Sequence, residues 1–285
     1  MNSVPFSGGT GTPRLAVPAD ACDCHMHIFD GRHPFAEGAP AVPRAGVEDY
    51  KLLQKRLGTS RAVVVAPSMY GLDNRCTIGA TAALGPQARC VVTLGEDTPA
   101  AEVSRLHAHG ARGFRFNLYR SKTNRIDTLR SIAERVAPFG WHAQIMLDAD
   151  QLIDGEPHLR DLPIPVVLDH MARLPQSGGR SHPAYAVMQS LLDRGNTWLK
   201  LSLATAVRLV GSPAEAELHV LARSWVSLAP ERLLWGSDWP HVMATLESRR
   251  MPDDAALLDF LQDWAPEPEL RRRILVDNPA KLYGF

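Results

Sequence analysis

No segment of this 285-residue chain approaches the roughly 20 consecutive apolar residues needed to cross a bilayer. Residues 1–19 also lack the basic start and apolar centre of a secretory signal, so a cytoplasmic location is expected. They are rich in Gly, Thr, Pro and Ser, and read as a flexible segment ahead of one domain over 20–285. Excess charge is missing as well. Lys+Arg 31 balances Asp+Glu 31, leaving no global field for nucleic acid or an anionic membrane. Any anionic ligand must therefore be met by local arginines. The four cysteines, Cys22, Cys24, Cys76 and Cys90, are too few for a disulfide framework in a chain this long. Cys22 and Cys24 read as small apolar residues on a buried strand rather than half of a zinc knot. No glycine-rich phosphate turn opens an early helix, which argues against a doubly wound dinucleotide-binding sheet. Nothing in the sequence specifies an oligomeric state.

What is present is a repeated alternation. With 45% hydrophobic residues the chain can fill a large core. Short apolar runs followed by helical patterns recur along almost its whole length. The predicted strands are Ala21–Phe29, Ala62–Ala66, Cys90–Leu94, Gly113–Asn117, His142–Leu147, Pro165–His170, Trp198–Ser202 and Leu233–Ser237. Runs such as Val63-Val64-Val65 suit strands covered on both faces, as in parallel sheets wrapped by helices. Predicted helices include Val47–Leu57, Pro99–His109 with Thr98 as N-cap, Ile126–Phe139 and Ala184–Arg194, each followed by glycine. Eight such alternations in about 250 residues predict an α/β chain folded as a single (β/α)8 TIM barrel.

On that scheme His25, His27, Ser68, Arg115, Asn117, His170, Ser202 and Asp238 all fall at or just after the carboxyl ends of strands. That rim carries the active site in essentially every characterised barrel enzyme. His25 and His27 share a face because strand side chains alternate. Three histidines and Asp238 support two readings. They could ligate one divalent ion such as zinc. Alternatively, Asp238 takes a proton from water while the imidazoles polarise a carbonyl. Asp238 is the strongest functional candidate, because a buried carboxylate on a barrel rim is costly unless partnered or used, and Asp169 reads as a structural partner. His142 begins a strand and so lies at the wrong end for chemistry. Arg115, Arg120 and Arg208 supply guanidinium groups whose planar fork fits a carboxylate. Tyr70 and His241, on loops of the same rim, complete the substrate-binding set.

These residues resemble the amidohydrolase-related barrel family, and within it the 2-pyrone-4,6-dicarboxylate lactonase group. The likeness runs through Asp23-Cys24-His25-Met26-His27, Pro67-Ser68, Asp73-Asn74-Arg75, Gly113-Phe114-Arg115-Phe116-Asn117 and Leu168-Asp169-His170-Met171. It continues in Leu234-Trp235-Gly236-Ser237-Asp238-Trp239-Pro240-His241, Met251-Pro252-Asp253-Asp254 and the final segment from Val276 to Phe285. The resemblance implies ring opening of a small anionic lactone in aromatic or sugar-acid catabolism. By that analogy Asp238 is the general base and His25, His27 and His170 hydrogen-bond the carbonyl. Ser68, Arg115 and Arg208, assisted by Arg120, would hold carboxylates. Relatives near the pyrone lactonase work without metal, while the wider superfamily commonly uses zinc. Here Arg115 and Asn117 end the fourth strand and Met146 with Leu147 ends the fifth, where a metal-dependent pattern carries ligands, so metal-free catalysis is expected. A single zinc at His25, His27, His170 and Asp238 is the alternative. This chain departs from the pyrone lactonase in having no tyrosine in its first loop and Met146 on its fifth strand. The other functions weighed are a lactone isomerase on the same site, a zinc-dependent amidohydrolase or decarboxylase, and a non-enzymatic binding protein.

Overall fold

The computed structural model describes residues 3–119, 124–175, 178–202 and 215–285. Eight parallel strands follow one another round a single sheet in chain order. They are β1 (Cys22–Met26), β2 (Arg61–Val65), β3 (Ala88–Thr93), β4 (Ala111–Asn117), β5 (His142–Met146), β6 (Val166–Leu168), β7 (Thr197–Lys200) and β8 (Leu233–Leu234). Between them run α1 (Val47–Leu57), α2 (Arg75–Leu84), α3 (Ala100–Ala108), α4 (Leu129–Val136), α5 (Ala149–Arg160), α6 (Pro183–Asp193) and α7 (Glu215–Leu228). After β8 come α8 (Val242–Leu246), α9 (Asp254–Trp264), α10 (Pro268–Arg272) and α11 (Asn278–Tyr283). The chain is a (β/α)8 barrel, as its alternation predicts.

Closure is made by backbone hydrogen bonds across the seam between the first and last strands. Cys24 N donates to Trp235 O at 2.9 Å, Asp238 N to His25 O at 2.8 Å and His27 N to Trp239 O at 2.8 Å. Gly236 permits this approach. A Cβ built there would stand 2.6 Å from His25 Cβ and 2.9 Å from the His25 nitrogen.

Strand alternation sorts side chains into two cores. Outward residues such as Val64, Val92, Phe114, Ile145 and Leu168 pack under the helices, and inward residues including Val63, Val65, Val91, Val167, Trp198 and Leu234 fill the barrel. Tyr283 of α11 is fully buried against that inner core and closes its lower end. The inward rows of β4, β5 and β7 are Gly113–Arg115–Asn117, His142–Gln144–Met146 and Trp198–Lys200. The barrel interior therefore changes from apolar to polar toward the carboxyl ends of the strands.

β1 contains an irregularity that matters for function. Asp23 pairs with Ala62 and Met26 with Val64, so β1 spends one extra residue over this interval. Such a bulge breaks the simple alternation of faces. Cys22 and Cys24 face into the barrel. His25 and His27 do so too, meeting Asp169 and Asp238. Asp23 turns outward instead. Its carboxylate accepts from Ser237 N, Ser237 Oγ and His25 N at 2.6–3.1 Å and from Tyr50 of α1 at 3.1 Å. Burial raises the pKa of Asp23 to about 6 despite these hydrogen bonds.

One local expectation is corrected. Thr98 does not cap α3: its Oγ1 accepts from Gly95 N at 2.9 Å, and Pro99 occupies the N-cap in extended conformation. The segment ahead of β1 touches the barrel at several of its residues. Val4 and Leu15 are buried, Pro5 O accepts from Trp239 Nε1 at 2.9 Å, and Arg56 donates to Gly8 O and Gly9 O. Its polar composition conceals these few apolar and backbone anchors.

Candidate active site

Asp238 stands at the centre of the rim. Its backbone is left-handed, with φ of 62°, a conformation costly for most non-glycine residues and seen more often in Asn and Asp. This turn aims the carboxylate across the barrel mouth. Asp238 Oδ1 lies 3.5 Å from His25 Nε2, 3.5 Å from His27 Nε2 and 3.9 Å from His170 Nε2. Burial opposes its charge, but the surrounding His170, His27 and His25 hold its pKa well below the usual carboxylate range. That shift leaves Asp238 ionised at neutral pH.

Each imidazole is fixed from behind by a different partner. His27 Nδ1 lies 2.7 Å from Val65 O, and a carbonyl only accepts, so that nitrogen carries hydrogen. His27 Nε2 is then a donor only in the doubly protonated ring and otherwise presents a lone pair. His170 Nδ1 meets Ser202 Oγ. His170 opens a run of four left-handed residues, His170–Arg173, with φ between 49° and 54°. That tight turn brings His170 and Arg173 to the same pocket wall. Burial lowers the pKa of both His25 and His170, favouring the neutral rings.

The pocket above Asp238 is lined by His27, Ser68, Arg115, Asn117, His170 and Arg173, with Phe29, Met146 and Met243 supplying apolar wall. Arg115 points inward from β4. It donates to Ala66 O at 3.0 Å and to Met146 Sδ at 3.5 Å. Asn117 Nδ2 donates to Ser68 Oγ at 3.1 Å, tying the ends of β4 and the β2 loop together. The Arg173 guanidinium stacks 3.7 Å over the ring of Tyr119, which flattens it against the rim.

The structure thus gathers His25, His27, His170, Asp238, Ser68 and Arg115 about one cleft. His25 sits beneath its surface, fully buried, rather than on the lining. Two expected substrate contacts are elsewhere. Tyr70 exchanges hydrogen bonds with the backbone of Asp30, at 3.0 and 3.2 Å, and packs with Phe29 and Phe35. His241 Nε2 pairs with buried Asp254 Oδ1 at 3.0 Å, away from the pocket lining. Both side chains anchor the loops they belong to. Arg120 and Arg208 lie outside the described residues. Sequence reading missed Arg173 and Lys200. Arg173 follows His170 by three positions in a loop and resembled an ordinary solvated charge. Lys200 carried a clearer signal, a charge inside the apolar run Trp198-Leu199-Lys200-Leu201.

The same donors have the spacing of a metal site. Ligand atoms of His25, His27 and Asp238 lie within 4.8 Å of one another, as do those of His25, Asp169 and His170. Imidazole and carboxylate suit zinc, and His27 has the back-side N–H to carbonyl contact that orients zinc-bound imidazoles. The residues present therefore fit an ion.

A family profile described as amidohydrolase matches residues 22–285. The chain belongs to the amidohydrolase family. Among its relatives is a 2-pyrone-4,6-dicarboxylate hydrolase of Comamonas testosteroni, 35% identical over 95% of this chain and 92% of that protein. A D-galactarolactone isomerase of Agrobacterium fabrum is 30% identical over 95% of this chain and 93% of its own length. An apo crystal structure of an Agrobacterium tumefaciens protein superposes with a TM-score of 0.83 at 29% identity, covering 96% of this amidohydrolase and 99% of that chain. Among the described residues, no helix of this amidohydrolase is long and apolar enough to cross a membrane.

Proposed function

We propose that this amidohydrolase opens a small carboxylated lactone, of the 2-pyrone-4,6-dicarboxylate kind, by adding water. The observation that carries this reading is one ionised carboxylate, Asp238, facing three imidazoles beneath a pocket bearing Arg115 and Arg173. Asp238 takes a proton from water as its oxygen forms a bond to the lactone carbonyl carbon. Imidazole N–H groups stabilise the oxygen that gains charge. The ring C–O bond then breaks, and protonated Asp238 returns its proton to the departing oxygen. The products are a free carboxylate and a hydroxyl group or its keto form. General-base catalysis and oriented hydrogen bonds can each supply on the order of 10²–10⁴-fold.

Arg115, with Arg173 beside it, accounts for a negatively charged substrate. A charge-assisted hydrogen bond is worth about 1.5–3 kcal/mol, so Arg115→Met is expected to raise KM by about 10–100-fold. The effect on kcat should be smaller. Steady-state kinetics on a dicarboxylated pyrone check this, and an unchanged KM removes Arg115 from substrate binding.

His25, His27 and Asp238, with His170 adjacent, are the residues that would hold a divalent ion. When bound it would act as a Lewis acid on the carbonyl and acidify water. The proposal is that turnover does not require it, because Asp238 and the imidazoles already supply base and electrophile. Dialysis against a chelator is expected to leave kcat unchanged; loss of activity that zinc restores refutes the metal-free reading.

The decisive experiment is a panel of pyrone dicarboxylates, muconolactones and aldonolactones run in heavy-oxygen water. Hydrolysis is expected to place one labelled oxygen in the new carboxylate. An isomerase uses a substrate hydroxyl as the nucleophile and leaves product unlabelled. Failure to transform any of these lactones overturns the proposed function.

A further inference from the structure

We propose that Ser7, on the segment ahead of β1, is a positioning residue for Asp238. Acting through Asp254, it pins the loop after β8 from outside the barrel. The effect on turnover rests on the lactone-opening reading, whereas the hold on the loop does not.

Asp238 is aimed by its backbone. It and His241, with φ of 62° and 56°, stand at the two ends of one turn, closed by His241 N donating to Asp238 O at 2.9 Å. Residues other than glycine keep such angles only where their surroundings over-determine them. On the barrel side, Asp238 N is held by His25 O and Trp239 O by His27 N. On the outer side, the hold comes from residues 5–7 and the start of α9. Trp239 Nε1 donates to Pro5 O at 2.9 Å, and the Phe6 ring meets the Trp239 indole edge-on at 6.0 Å. His241 Nε2 pairs with Asp254 Oδ1 at 3.0 Å. Asp254 is 0% exposed, and its other oxygen, Oδ2, accepts from Ser7 Oγ. The same serine oxygen accepts from Asp254 N at 3.4 Å.

Ser7 is itself held in register by its neighbours. Gly8 N donates to Pro252 O at 2.6 Å. Arg56 of α1 donates to Gly8 O and Gly9 O at 3.0 and 3.2 Å, and to Asp253 Oδ1 at 2.6 Å. The approach is too close for side chains. A Cβ at Gly8 would stand 2.6 Å from Met251 O, and one at Gly9 1.9 Å from Asp253 Oδ2. The motif Met251-Pro252-Asp253-Asp254 lines no part of the pocket, and here it couples the segment to the loop that carries Asp238. A segment that merely covered the barrel would need only apolar contacts such as buried Val4. Ser7 instead directs its hydroxyl to the carboxylate that holds His241, three positions after the base. Val242 and Met243, the next residues, belong to the pocket wall.

Hydrogen–deuterium exchange of the full-length protein, read by mass spectrometry, reports on the loop through peptides covering residues 238–247. Ser7→Ala is expected to speed exchange there by about tenfold, as one hydrogen bond leaves the opening equilibrium, with β4 and β5 peptides unchanged. On a lactone substrate, kcat falls by about tenfold while KM stays within about threefold, because the base is misaimed but the anion still meets Arg115. Ser7→Thr keeps the hydroxyl and is expected to restore both. Arg14→Ala is the control. It removes the segment's 3.0 Å ion pair with Asp259, on a part of α9 that does not touch His241, and should change neither readout. Unchanged loop exchange in Ser7→Ala, or an equal loss of kcat in Arg14→Ala, overturns the proposal. So does a lowered Tm with unchanged kcat in folded Ser7→Ala. Where Ser7→Ala does not fold, Ser7→Cys, a weaker donor at the same place, is read in the same way. Faster loop exchange in Ser7→Ala, in a protein whose wild type opens no lactone, sinks the proposed function and leaves this hold standing. Lactone opening by wild type, with loop exchange unmoved by Ser7→Ala, does the reverse.

Discussion

Asp238→Asn is expected to lower kcat by about 10²–10⁴-fold while substrate still binds. The substitution replaces one carboxylate oxygen with an amide of nearly the same shape. Asn tolerates left-handed backbone as well as Asp does, so the φ of 62° need not change. The hydrogen bond from the residue 238 backbone to His25 O, at 2.8 Å, is retained. What disappears is the only carboxylate that faces His25, His27 and His170 together among the described residues. Removing a negative charge from the pocket cannot weaken attraction for an anion, so binding measured by calorimetry should hold or tighten. Near-wild-type turnover in this variant would mean that another group activates water.

Gly236→Ala is expected to damage the site and the fold together. The added methyl would meet His25 Cβ at 2.6 Å and the His25 nitrogen at 2.9 Å. A backbone nitrogen and a β-carbon cannot rotate away, so the seam between β8 and β1 must open. Overpacking of this kind costs typically about 1–3 kcal/mol. In a chain this size that lowers Tm by about 2–5 °C. The displaced strand carries both His25 and His27. A shift of about 1 Å in catalytic geometry can cost on the order of 10²-fold, so turnover should fall beyond what the lost stability explains. Thermal denaturation and kcat at a temperature where the variant remains folded check both parts. A variant with wild-type Tm and kcat would show that the seam can yield there without consequence.

The barrel was legible because its signal is repetitive. Eight apolar runs each sit close to an observed strand, and Val47–Leu57 agrees with α1 at both ends. Errors concentrate at strand ends. The last predicted strand, Leu233–Ser237, contains only a two-residue ladder, because the chain beyond Leu234 turns to close on β1 through single hydrogen bonds. The convergence of His25, His27, His170 and Asp238 is legible because polar residues at the ends of apolar strands stand out. The bulge in β1 was invisible. Alternation alone places Cys24 and His25 on opposite faces, and only the extra residue between Asp23 and Met26 turns both inward. Tyr70 and His241 stand away from the pocket lining for a related reason. Their loops do lie near the rim, but the side chains satisfy a backbone at Asp30 and a buried carboxylate at Asp254. Sequence position does not reveal which way such a group turns.

The packed lower end of the barrel has a consequence for traffic. With Tyr283, Trp198 and the Cys22–Leu234 cluster filling that end, the pocket opens among the described residues at the carboxyl ends of the strands. If the protein opens a lactone as proposed, the more highly charged product must leave by the path along which the next lactone arrives, past the same Arg115. Departing and incoming molecules therefore compete for one guanidinium, and how readily Arg115 releases an anion bears directly on how fast the enzyme can cycle.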